Sequence, residues 1–187
     1  GCVAVNQLKG LINYGPIEAY ANRSIRLAVL SPRECAEDIW NHLNKLNMYH
    51  ATKLKQDGAF LPEYIGFQNV FRCGLDIPNG NDVKRFMGYS LSKALEVDAE
   101  RYFNVICQYI DRLERERHQF DVLIIYIPKQ LSKMRELKND KIYFDLHDSL
   151  KIYCAGKGIV TQIVEERSVH TNSDMAKIIW GLSTAIY

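Results

Sequence analysis

Three polar side chains within residues 144–163, FDLHDSLKIYCAGKGIVTQI, have the types and spacing to hold an anion. His147 and Lys151 stand four residues apart, and helical residues i and i+4 lie above one another on one flank. Gln162 follows Lys151 by eleven residues, past a Gly-rich break, in a run that reads as a strand. The set suits a terminal phosphate. Lysine supplies a compact charge, the amide donates one hydrogen bond, and the imidazole donates or stacks on a base. Each residue also has a plainer role, as a satisfied histidine, a solvated lysine and an ordinary strand residue. Spacing alone leaves the two readings open.

Composition and missing motifs narrow the field. The chain has 187 residues, 47% hydrophobic and 25% charged, as expected of a globular protein with one sizeable core. Its 24 basic and 22 acidic residues leave a net charge of only +2, so any anion site must be local. Five widely spaced cysteines form no C-x-x-C pair, which argues against a disulfide framework or a zinc site. Reduced thiols point to the cytoplasm. No apolar stretch approaches the roughly 18 residues of a membrane span, so no membrane partner is expected. No G-x-G-x-x-G follows the first strand, and AGKGIVT joins helix to strand, the wrong way round for a P-loop. No G-x-S-x-G or H-E-x-x-H is present, nor an H-x-E with paired cysteines. Glu165 and Glu166 end a strand and read as a solvated pair.

The elements that must position the trio can be read from periodicity and breakers. Residues 1–22 form an arm in which KGLINYGPI is ended by Gly15-Pro16. SIRLAVL (24–30) reads as a buried strand, and Pro32 as the first residue of a helix with Cys35, Ala36, Ile39, Trp40, Leu43 and Leu46 on its packed face. The stretch 50–93 is the least regular, with a strand expected near 67–73 and a Gly/Asn-rich turn at 79–81. A long helix is expected over 96–118, its tail RLERERH a solvated charged face. DVLIIYIP (121–128) is nearly continuous apolar sequence, as in a parallel strand covered on both faces. Residues 129–143 read as a polar mobile loop with one helical turn. Asp145 is placed to cap the next helix, with Asp148 three residues on, and Leu146, Leu150 and Tyr153 as its buried stripe. IVTQIVE is the next strand, and a final helix is capped by Asn172 or Ser173. Strand and helix alternate four times. The expected fold is α/β, a Rossmann-like parallel sheet with helices on both faces.

At this point the sequence resembles a family. FDLHDSLKIYCAGKGIVTQIVEE, preceded by DVLIIYIP, is similar to the MID domain of prokaryotic Argonaute proteins, including short or truncated types. In that family an aromatic residue or histidine, a lysine four on and a glutamine about eleven further hold the 5′ phosphate of the guide strand; His147, Lys151 and Gln162 match them. KGLINYGPI resembles the segment leading into the MID domain, and SDMAKIIWGLSTAIY the helix that crosses into the PIWI domain. The resemblance divides the chain into a lead-in arm (1–22) and a MID-like α/β domain (23–187). It implies a non-catalytic module whose partners are a short guide RNA or DNA, a PIWI domain in the same or an associated chain, and an effector subunit. It places Lys129 and Gln130 in the loop that contacts the first base. The chain needs no cofactor of its own, although a divalent cation, magnesium, could bridge guide phosphates through a ligand outside it. The family's second phosphate lysine would fall just after Tyr187, and Lys177 is not taken in its place. The chain is thus expected to be a piece of a larger protein.

Two rival readings use the same layout. One is a small-molecule or nucleotide-processing enzyme with His147 as general base, its only near acid Asp148, expected to point off the helix differently. The other is a structural protein whose sheet docks another subunit.

Overall fold

The computed structural model describes residues 6–17, 23–52, 61–134, 136–139, 142–166 and 175–187. In chain order the helices are α1 (Gln7–Tyr14), α2 (Ala36–Asn44), α3 (Phe67–Phe71), α4 (Leu91–Leu95), α5 (Ala99–Arg115), α6 (Leu146–Gly156) and α7 (Met175–Ile186). The strands are β1 (Ser24–Pro32), β2 (Gly74–Asp76), β3 (Phe86–Tyr89), β4 (Val122–Ile127), β5 (Glu136–Asn139), β6 (Ile142–Asp145) and β7 (Val160–Glu165). One sheet has the order β2-β1-β4-β7, with β3 also on β1, and β5-β6 form a separate antiparallel pair. The pairs β1–β3, β1–β4 and β4–β7 are parallel. The fold is therefore an α/β, Rossmann-like, mostly parallel sheet with helices around it.

The chain forms two compact units. Residues 26–40 and 77–169 make the larger one, and 1–25, 41–76 and 170–187 the other. In the larger unit β4 explains the architecture. All six residues of VLIIYI are buried, so both faces of the strand are covered, as parallel sheets require. Leu123, Ile125 and Ile127 share one core with Ile106, Ile110 and Leu113 of α5 and with Leu146, Leu150 and Cys154 of α6. Leu27, Val29, Ile124 and Tyr126, on the other side of the same strands, are buried too. Arg26 locks the start of β1 to the approach to β4. Its Nε and Nη2 donate to the two Asp121 carboxylate oxygens (3.2 and 3.1 Å), and Nη1 to the His118 carbonyl (2.8 Å).

The smaller unit is organised around Tyr64. Its hydroxyl lies 2.8 Å from both the Leu46 carbonyl and Ser183 Oγ, and its ring meets Trp180 edge-on at 5.1 Å. Trp180 Nε1 donates to the Pro62 carbonyl at 2.9 Å. The lead-in segment contributes α1, capped by Asn6 Oδ1, which accepts from the Leu8 and Lys9 amides, and ended by Gly15 at φ 75°.

Several expectations need correction. The strand sought near 67–73 is α3. Phe67, Val70 and Phe71 are all buried at helical i, i+3, i+4 spacing, and the positive φ of Gly66 (91°) sets the entry to that turn. The strand of this stretch that pairs in parallel with β1 is β3, four residues hidden behind the Gly/Asn turn. Pro32 is the last residue of β1 and the cap of a 3-10 turn (Arg33–Cys35) that leads into α2, so the helical run opens one residue later than expected. Trp40 of α2 is 40% exposed rather than packed. The loop over 129–143 has its helical turn, a 3-10 turn at Lys129–Met134, but continues into β5 and β6. The long helix is α5, begun by Asp98, whose side chain accepts from the Arg101 amide. Its charged tail is only partly solvated, because Glu114 accepts from Lys157. The proposed caps Asn172 and Ser173 lie outside the described residues.

Candidate functional site

The flank that carries His147 and Lys151 is built by helix capping and a buried stripe. Asp145 Oδ1 accepts from the Asp148 amide at 3.0 Å, starting α6 where the sequence placed its cap. Leu146, Leu150 and Cys154 turn into the core, so the flank beginning at His147 must face outward. His147 is 37% exposed at its side chain and Lys151 is exposed. The His147 and Lys151 side chains thus occupy one accessible flank, about 6 Å apart along the axis by helical rise. His147 Nδ1 lies 3.1 Å from Asp148 Oδ1. That corrects the expectation that Asp148 points elsewhere.

Gln162 sits on β7, opposite Ile124 of β4. Its neighbours decide which way it points. Ile163 packs into the core shared with α6, and strand side chains alternate faces. Gln162 therefore projects from the sheet face that α6 does not cover. Among the described residues β7 is the outer strand of the sheet. A ligand touching both must lie over the open edge of β7, with Lys151 on one side and Gln162 on the other. Lys151 also lines a groove of about 450 Å³ with Ala155 and residues 158–161.

The other lysine of the Gly-rich break has a structural job. Lys157 Nζ reaches Glu114 (2.8 Å) and Asp111 (2.9 Å) on α5. Those hydrogen bonds, Glu114 first, raise its pKa. Asp111 also accepts from the Tyr153 hydroxyl at 2.6 Å, which lowers the Asp111 pKa and pushes the tyrosine up to about 12. This network fastens α6 to α5 and leaves Lys151 as the cation of the flank.

Open α/β sheets usually bind ligands where the strand order reverses, at the carboxyl ends. Here the chain runs from β1 to β3 on one side and then to β4 on the other, so the reversal lies between β1 and β4. That place is acidic. Burial, then Asp38, Glu166 and Glu34, push the Cys35 thiol up to about 11. Burial first, with Glu166, Cys35 and Asp38 behind it, also raises the pKa of Tyr126. Glu165 and Glu166 are half-buried, not the solvated pair expected, and Glu166 Oε2 accepts the Lys129 amide at 2.8 Å. Lys129 and Gln130 are both exposed at the carboxyl end of β4. The parallel register that sets Glu165 beside Ile127 brings Glu166 there, a pairing invisible in linear spacing.

Asp145, His147 and Asp148 place one ligand atom each within 4.8 Å of one another. Magnesium takes oxygen ligands, whereas this set includes an imidazole, and Asp145 Oδ1 is already used by the helix cap. The set does not fit the magnesium ion that the resemblance implies. No described helix is long and apolar enough to cross a membrane. No family model matches the chain, and no curated protein does either.

Proposed function

We propose that the chain is a nucleic-acid-binding module that anchors the 5′-phosphorylated end of a short guide strand, as the MID domain of an Argonaute does. One observation carries the reading. His147 and Lys151 are accessible on one flank of α6, and Gln162 lies on β7, the strand that follows and packs against α6, in the order and spacing of the MID pattern. Lys151 meets the terminal phosphate from one side, Gln162 donates its amide from the other, and His147 stacks on or donates to the first nucleotide. Lys129 and Gln130 stand at the end of β4, where the first base is read. The acidic reversal point favours this edge for an anion, because it repels one at the sheet's usual crevice. Cleavage, where the parent protein performs it, belongs to a PIWI domain. Filter binding of 5′-phosphorylated and 5′-hydroxyl oligonucleotides tests the reading. A preference for the phosphate that disappears in Lys151→Ala supports it, and equal binding of both strands refutes it.

The contact between His147 and Asp148 favours a second reading, a His–Asp general base acting on a small molecule. Under that reading Asp148→Asn abolishes turnover of the substrate. Under the guide-binding reading it leaves the phosphate preference in place.

A further inference from the structure

On the opposite side of the larger unit lies a cavity of about 420 Å³ that the guide-binding reading leaves unused. Its walls include Arg33, just past β1, Phe86 and Gly88 of β3, and Tyr109 and Arg112 of α5. Phe86 and Tyr109 are half-buried and both arginines exposed. We propose that this cavity binds a single nucleotide, with its phosphate on the two guanidinium groups and its base against the aromatic rings.

The two arginines are held for an anion that the protein does not supply. Arg33 Nε donates to the Gly88 carbonyl at 3.1 Å, leaving its two terminal nitrogens without a hydrogen bond or ion pair among the described residues. A Cβ on Gly88 would come within 2.5 Å of Arg33 Cγ, so glycine at this position lets the arginine stem cross β3. Arg112 lies over the Tyr109 ring, 5.3 Å from its centroid, and likewise has no carboxylate partner among the described residues. Among the described residues no acidic side chain lines the cavity. The carboxylates next to the two arginines in sequence are engaged elsewhere: Glu34 with the Leu91 amide at 3.2 Å, and Asp111 with the Tyr153 hydroxyl at 2.6 Å and Lys157 at 2.9 Å. Both guanidinium groups line one space, so an anion entering it would meet two positive charges. Their planar forks match phosphate oxygens.

The rings select the rest of the ligand. Aromatic faces stack on bases of any sequence, and a cavity of this volume is within the range of small-ligand sites. The nucleotide can be free or one unit of a single strand. Because β3 and β7 lie on opposite edges of the sheet, three strand spacings or about 14 Å apart, the site is independent of the Lys151 edge. The proposal stands whether or not the guide-binding reading holds.

The test is a titration of the chain with the four nucleoside 5′-monophosphates, adenosine, inorganic phosphate and a 5′-hydroxyl oligothymidylate. It is followed by calorimetry and by amide shifts of Gly80 and Gly88. Mononucleotide binding at least about tenfold tighter than adenosine is expected, with shifts at both glycines. Arg112→Gln and Arg33→Gln should each weaken it about fivefold or more with circular dichroism unchanged, and Lys151→Ala should leave it alone. If the oligonucleotide also binds and is lost in Arg112→Gln, the site takes a strand unit; if only mononucleotides bind, it takes a free nucleotide. The proposal is overturned by no saturable mononucleotide binding, by equal binding of adenosine, or by loss in Lys151→Ala in place of the arginine variants.

Discussion

Lys151→Ala, combined with removal of the ligand's 5′ phosphate, isolates the contact on which the guide-binding reading rests. Lys151 is exposed, so its attraction to a phosphate is set by a medium closer to water than to protein interior. Two unit charges 4 Å apart gain about 1 kcal/mol in water and about 4 kcal/mol at an effective dielectric of 20. A dianionic phosphate on an open flank belongs near the low end, and we expect Lys151→Ala to cost about 1.5 kcal/mol, a little over tenfold in Kd. Gln162 contributes a neutral amide, worth about 0.5–1.5 kcal/mol, so Gln162→Ala should cost less. The assay is filter binding of one oligonucleotide with and without its phosphate, against wild type and Lys151→Ala, at fixed salt. If lysine and phosphate meet, losing both costs little more than losing either, and the coupling is about the size of the single loss. With two or three phosphate contacts, log Kd should change by only about 0.7 per contact for each decade of salt. Additive losses around the cycle refute the contact. A normal cycle for Lys151 beside an inert Gln162→Ala would mean that the ligand never crosses the edge of β7.

Three further outcomes follow from the packing. Lys157→Met should lower Tm and flatten its dependence on acid. The Asp111 pKa is depressed in the folded state, so its stabilisation is complete above the unfolded value and lost as pH falls through the folded one; the raised Lys157 gives the mirror loss at high pH. An equal acid limb in wild type and variant would refute that linkage. Cys35, held near pKa 11, should be only about one part in a thousand thiolate at pH 8 and react slowly with iodoacetamide, and Glu166→Gln should speed it. Slow alkylation unchanged by Glu166→Gln would remove Glu166 from the causes and leave burial with Asp38 and Glu34. Tyr64→Phe strands the Leu46 carbonyl and Ser183 Oγ in a buried place, and urea unfolding should show a loss of about 1–3 kcal/mol.

What the sequence disclosed, and what it concealed, divides along the range of the interactions. β4, α6 with its Asp145 cap, and β7 were legible because each is specified within itself: a continuous apolar run, a cap three residues from its amide, a β-branched strand after glycine. The stretch 50–93 was not, because β3 has four residues and owes its existence to pairing with β1. Helix α3 was mistaken for a strand because five residues hold barely more than one turn, too few to separate helical from alternating periods. The site followed the same division. His147 and Lys151 share a flank because a helix puts them there. The direction of Gln162 depends on which sheet face α6 covers, and the Asp148 contact depends on rotamers; residue spacing contains neither.

Charge placement then constrains where an anion can bind. A parallel sheet offers its carboxyl ends by default, because helix N-termini converge there. In this chain that place holds Glu34, Asp38 and Glu166 around Cys35, and the Lys129 amide is already taken by Glu166. Among the described residues, three cations without a carboxylate partner line cavities to the sides of that place: Lys151 beside β7, Arg33 and Arg112 beside β3. With a net charge of only +2 the molecule has no general attraction for nucleic acid to mask such differences. Binding should therefore depend on phosphate position rather than strand length. Lengthening a 5′-phosphorylated oligonucleotide beyond the few nucleotides that reach these edges should leave Kd nearly constant. A Kd that keeps falling with length would reveal a continuous basic track, which the partnered Lys157 and the acidic crevice between the two edges argue against.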